Sequence, residues 1–221
     1  MRKGLLPLSV TVLMVCMVYG IMSCRKTAIV ETTTSDVNIV GYFDQNPDSF
    51  SLFRQILERT DNASFLNAYG AYTCFAPTNS GVRRYLTNIG ASSVEAADLN
   101  TLKDMVRLHL LEDTVYTGSF TDGKLPVITM YGQYLVTSVI NDGTSSSYIV
   151  NRQALMLKSN IRTGNGIIHI IDNVLLPATK TIAEQLAARP EYSIFVQAMQ
   201  ATGYYTLLNT VNPVLSNRWM T

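Results

Sequence analysis

An α+β fold is predicted by the order in which the local signals occur along the chain. Segments with helical spacing of apolar residues come first, and runs rich in Val, Ile, Tyr and Thr come afterwards, broken by Gly, Asn, Asp and Ser. Helices grouped before strands, instead of alternating with them, define α+β and not α/β architecture. Composition agrees. In 221 residues, 47% hydrophobic against 15% charged side chains supply an apolar core and exclude a disordered chain. The balance of 17 Lys plus Arg against 16 Asp plus Glu leaves no basic excess, so nucleic acid is excluded as a partner.

The first element is not part of the fold. Arg2 and Lys3 precede an apolar run from Gly4 to Met22, followed by Ser23 and Cys24. A basic tip, an apolar stretch and small residues read as an export signal over residues 1–23. Ile21-Met22-Ser23-Cys24 resembles the bacterial lipobox. That resemblance implies cleavage before Cys24 and a covalent diacylglycerol and acyl group on it. An uncleaved membrane-spanning anchor is the alternative, opposed by Pro7 and by the cysteine directly after a small residue. Residues 24–35 are polar and threonine-rich and read as a tether. Arg25 after the cysteine, by resemblance to lipoprotein sorting rules, argues against inner-membrane retention and for the outer membrane. Cys16 leaves with the signal and Cys24 carries lipid, so Cys74 has no partner for a disulfide.

In the folded part, Leu52, Phe53, Ile56 and Leu57 mark one face of a helix that Asp48 or Ser49 would cap. Tyr72–Ala76 is a β-prone run closed by Pro77. A short helical piece follows near 81–86. Leu102, Met105, Val106, His109 and Leu110 then mark a helix over 99–111. Strands are predicted near 125–130, 133–140, 148–151, 155–161 and 166–175, with Thr163-Gly164-Asn165-Gly166 as the turn between the last two.

Two motifs now become informative. Residues 73–79 read TCFAPTN and residues 165–177 read NGIIHIIDNVLLP. In this order and at this separation they resemble the first and last conserved segments of the fasciclin domain. The resemblance spans Asp36 to Pro177 and implies a β-wedge sandwich with N-terminal helices packed round it, as domain 36–178. With the signal and lipobox, the chain resembles a bacterial fasciclin-domain lipoprotein of the Bacteroidetes type. The motif positions are Phe75, Ala76, Pro77, Thr78, Asn79, His109, Gly166, His169, Asp172 and Pro177. His109 matches the histidine of the family's central Tyr-His segment, with Leu108 in the tyrosine's place.

The chain also repeats itself. Ser51–Leu57 (SLFRQIL) aligns with Ser193–Met199 (SIFVQAM), and Thr60 matches Thr202 at the same offset of 142. Residues 179–221 therefore read as the helical start of a second, incomplete copy, as in a tandem array cut from a longer protein. A lone helix folded back on the first domain is the alternative.

Catalytic constellations are missing from the sequence. Neither HExxH, CxxC, a Walker A loop nor GxSxG occurs, so no catalytic, metal or cofactor residue is expected. Gly164-Asn165-Gly166 starts like a dinucleotide fingerprint, but His169 replaces the third glycine and strands flank it. His109 is read as a buried imidazole held by a backbone group or a hydroxyl, over an adhesive contact. His169 is likewise read as structural. Asp172 and Asn173 are expected to bond the following bend, and Thr78 and Asn79 to cap the next helix. Cys74 is read as a small buried apolar residue.

The function expected is non-enzymatic: a lipid-anchored envelope protein mediating adhesion or binding an extracellular or periplasmic protein. The alternative is a glycan- or small-ligand-binding accessory module of an outer-membrane nutrient uptake system. Its signal would be exposed rings among the 12 tyrosines, such as Tyr131, Tyr134, Tyr148, Tyr204 and Tyr205.

Overall fold

The computed structural model describes residues 37–67, 70–141 and 146–209, and among these described residues three helices stand before the first strand. The predicted signal, the tether and Cys24 lie outside the described residues. Helix α1 (Ile39–Gln45) is capped by the Asn38 side chain, which accepts from the Gly41 N–H at 2.7 Å. Helix α2 (Pro47–Arg59) begins with proline at its first position, where no N–H is needed. The expected cap at Asp48 or Ser49 is therefore wrong, since both already lie inside the first turn and Asn46 is the boundary residue. Asp61, at φ 61°, turns the chain into α3 (Asn62–Asn67). Helices α1 and α3 went unpredicted because neither is long enough to show a full apolar period.

Strand β1 (Tyr72–Pro77), helix α4 (Asn79–Asn88) and helix α5 (Leu99–Leu108) follow. Helix α5 is shorter than predicted. His109 is its C-cap, and Leu110–Leu111 form strand β2 against β1. The remaining strands are β3 (Gly123–Ile128), β4 (Tyr134–Asn141), β5 (Ser146–Val150), β6 (Ala154–Thr163) and β7 (Gly166–Ile171). The predicted extension of β7 to Leu175 fails, because from Asp172 the backbone bends away.

The strand order is β2-β1-β7-β6-β5-β4-β3, with β1 and β7 parallel and every other neighbour antiparallel. A bridge between Leu111 and Thr129, with Met130 N–H donating to the Leu110 carbonyl at 2.9 Å, brings the two ends together. The result is a nearly closed wedge. This is the α+β wedge with packed N-terminal helices that the resemblance implied.

Alternation along β1 and β7 divides the interior in two. Tyr72, Cys74, Ala76 and Ile168 face the helices and join Ile39, Phe43, Phe50, Phe53, Ile56 and Leu57 in one core. Phe75 and Ile171 face into the wedge, with Phe120, Leu125, Leu135, Val150 and Leu175. Both faces of the central strands are thus buried, which is why those strands read as nearly continuous apolar runs. Each large side chain fully removed from water contributes roughly 1.5–3 kcal/mol.

Beyond Pro177 come α6 (Ile182–Ala187), a 3-10 turn (Pro190–Tyr192), α7 (Ser193–Ala201) and α8 (Tyr204–Leu208), which pack on one another. A lone tail helix is excluded among the described residues.

Candidate functional site

The residues of the first motif are buried and hydrogen-bonded. Strand β1 is buried along its whole length. Thr73 Oγ1 donates to the Asp113 carbonyl at 2.6 Å and accepts from the Val115 N–H at 2.8 Å. Phe75 and Ala76 are inaccessible, one on each side of the sheet. Pro77 ends the strand, and Thr78 caps α4 by accepting from the Gly81 N–H. Asn79 does not act as a cap. Its Oδ1 accepts from the Leu52 N–H at 2.9 Å, and its Nδ2 lies 3.0–3.2 Å from the Pro47 and Asp48 carbonyls and Ser51 Oγ. One carboxamide thus stitches the start of α4 into the first turns of α2.

The second motif is equally internal. Gly166 opens β7 opposite Tyr72, where a Cβ would lie 2.1 Å from the Tyr72 carbonyl oxygen. Asp172 Oδ1 accepts from the Leu155 N–H at 2.8 Å, and Asn173 donates to the Gln153 carbonyl at 3.2 Å. Both reach back to the start of β6 instead of the bend expected, because the bend lies beside that strand. Pro177 is half-buried and leads into Ala178, whose N–H and carbonyl are both held by the Gln133 side chain.

The two histidines do not meet in one site. Each bridges two backbone groups, in opposite tautomers. His109 Nδ1 lies 2.7 Å from the Met105 carbonyl, while Nε2 accepts from the Leu175 N–H at 3.0 Å. The proton therefore sits on Nδ1. His169 Nε2 lies 2.9 Å from the Val115 carbonyl, and Nδ1 accepts from the Asn160 N–H at 3.3 Å, so its proton sits on Nε2. Its ring is stacked on Phe75 at 5.1 Å and packs against Phe120 at 5.3 Å. Burial pulls the His109 pKa down to about 4 and lowers that of His169, against the smaller opposing effect of the carbonyl each ring bonds. Burial likewise raises the Cys74 thiol well above its ordinary value, which keeps it protonated. Among the described residues, no group of three or more His, Cys, Asp and Glu side chains could hold a metal ion.

Several polar residues with structural roles were missed, among them Asn165, Gln133 and Gln153. Asn165 accepts from the Ile39 N–H at 2.9 Å and donates to the Leu66 carbonyl, tying the β6–β7 turn to the N-terminal helices. Its place in a turn and at the head of the second motif was the available signal. Gln133 and Gln153 clasp Ala178 and Leu176 across the sheet, and no local pattern marks either.

The solvent face of the β3–β6 meander points outward. Ser138, Ile149 and Leu155 form a cross-strand row there, and Lys124 pairs with Val136. Ile128, Ile140, Leu155 and Leu157 are exposed, and the Lys124 ammonium lies 4.0 Å over the Tyr134 ring. A depression of about 380 Å³ opens beside Glu112, Val127, Ile128, Thr129 and Met130.

Fold and motif together define a wedge-shaped module whose motif residues hold its own backbone together. The chain belongs to the fasciclin family: the fasciclin domain model matches residues 48–177. It is 28% identical over 141 residues to human stabilin-1 and 27% identical over 183 residues to human periostin. Those stretches are 63% and 79% of this chain but only 5% and 21% of the relatives' lengths. A shorter relative, Protein sll1483 of Synechocystis sp., is 30% identical over 158 residues, covering 69% of this chain and 82% of its own. Among solved structures, a FAS1 domain pair from the insect cell adhesion molecule Fasciclin I shares 18% identity at a TM-score of 0.45. The similarity covers 72% of this chain and 57% of that one.

Proposed function

We propose that this protein is a lipid-anchored component of a cell envelope, in the outer membrane, whose fasciclin domain mediates adhesion or binds an extracellular or periplasmic protein. The family's association with cell adhesion supports the general class. The observation that carries the reading is the outer face of the meander. It places Ile128, Ile140, Leu155 and Leu157 in solvent, while the motif residues turn inward. Exposed apolar residues on a rigid sheet, rimmed by polar groups, suit a protein interface. The anchor rests on the lipobox-like Ile21-Met22-Ser23-Cys24, and several acyl chains would hold the body durably where one binds only reversibly. The glycan-binding alternative would rest on exposed rings such as Tyr204; among the described residues, none of those lining the depression beside Met130 is aromatic.

Cell-to-cell aggregation by cells carrying the full chain tests the reading. Changing Leu155 and Leu157 together to Asp should abolish aggregation while the domain's Tm stays within a few degrees. Aggregation that persists in that variant, or that free oligosaccharide competes away, overturns the protein-adhesion reading.

A further inference from the structure

The helices past Pro177 reproduce the hydrogen bonds of the helices before β1. Asn38 caps α1 through the Gly41 N–H and donates to Asn67 Oδ1 at 3.0 Å. Thr181 caps α6 through the Glu184 N–H at 3.2 Å and donates to Asn209 Oδ1 at 2.8 Å. Thr60 Oγ1 bonds back to the Ile56 and Leu57 carbonyls at 2.8 and 3.3 Å, and Thr202 Oγ1 to those of Ala198 and Met199 at the same two distances. Asp61 and Gly203 make the matching left-handed turns, at φ 61° and 77°. A repeat in sequence is thus a repeat in structure, of residues 38–67 by 181–209.

The two units differ in what covers them. Phe53 is 0% exposed and its counterpart Phe195 is 56% exposed, while Ile194, in the place of Leu52, is 81% exposed. In the first unit this face receives β1 and α4. There, Asn79 bonds the Leu52 N–H, Ser51 Oγ and the carbonyls at the start of α2. The second unit has Ile194 and Ser193 at the positions of Leu52 and Ser51, after a 3-10 turn that breaks its helix at Ser193, where α2 runs on.

We infer that residues 181–209 are the helical layer of a second fasciclin domain. Their open face receives that domain's first strand and next helix: an apolar strand followed by an asparagine at the helix start, supplied by sequence beyond Thr221. Another copy of this chain cannot supply it from the described residues. Its one such element, Tyr72–Asn88, is already seated on its own α1–α3.

The test compares the 221-residue chain with the polypeptide isolated from its source cells. Intact mass and peptide sequencing read any residues past Thr221, and hydrogen exchange tracks the amides of 194–199 in both. The cellular polypeptide should continue into such a strand and asparagine and exchange those amides at least tenfold more slowly. Phe195→Asp in it should remove that protection and leave β1 unchanged. A cellular polypeptide ending at Thr221, further sequence without this element, or equal exchange rates would each overturn the inference. Slowing that appears in the 221-residue chain only as its concentration rises assigns the face to self-association, and overturns it too.

Discussion

Gly166 enters β7 at φ 157° with the Tyr72 carbonyl where a side chain would begin, so the parallel pairing of β1 with β7 depends on one missing methyl group. Backbone cannot give way as a side-chain tip can. Gly166→Ala should therefore cost at least about 3 kcal/mol or prevent folding, read by thermal denaturation. The histidines act at the same scale through pH. His109 is neutral in the folded chain down to about pH 4 but takes up a proton near pH 6.5 once unfolded. Acid therefore favours the unfolded state. His109's contribution is fully present above pH 6.5 and is lost as pH falls toward 4, by about 3 kcal/mol at the limit. His169 shifts in the same direction. Glu95 and Asp98, whose carboxyls are held low chiefly by hydrogen bonds from Ser93 and Thr101, lose their contributions only at lower pH. Chemical denaturation from pH 7 to 4 should show the histidine loss, and His109→Gln should flatten the profile in that window.

Between elements, long polar side chains do the joining, and Asn79 shows how. Removing it leaves the Leu52 N–H and its neighbours on α2 without the carboxamide that bridges them to α4. Asn79→Ala should destabilise the domain by about 2–3 kcal/mol, read by urea unfolding, with faster exchange of the first turns of α2. Thr78→Ala removes only a cap and should cost nearer about 1 kcal/mol. Such joints set the limit of what the sequence could reveal. The motif around Asn79 was legible, and so was the cap at Thr78, because a hydroxyl just after a strand-ending proline has a local use. The docking of Asn79 on α2 was not, since its partners lie 27–32 residues away. Helix α5 was read through to Leu111 because His109 and Leu110 continue its apolar spacing, although the chain there has already turned into β2. The meander strands were placed to within a few residues by β-branched runs and turn residues, which report on the strand that contains them.

At the scale of the molecule, β1 and β7 hold the two cores together. Cys74 and Ile168 face the helices while Phe75 and Ile171 face the wedge, so opening either core strips one face of strands that the other core also needs. Alternation within a strand was visible in the sequence, but that both faces are covered was not, because it depends on helices and sheet packing on opposite sides. The shared strands should make unfolding of residues 37–177 one cooperative event. Phe53→Ala in the helical core and Phe120→Ala in the wedge should each cost about 3–5 kcal/mol where the side chain is fully enclosed, and somewhat less at Phe120, which lies nearer the surface. Both should lower the same calorimetric transition, with near-UV and far-UV signals lost together. Two separable transitions, each answering to only one of the substitutions, would show that the wedge and the helical layer fold independently. Reductant should leave the transition where it is, because Cys74 is a free thiol sealed in the helical core. Stability then rests on apolar burial across a shared pair of strands.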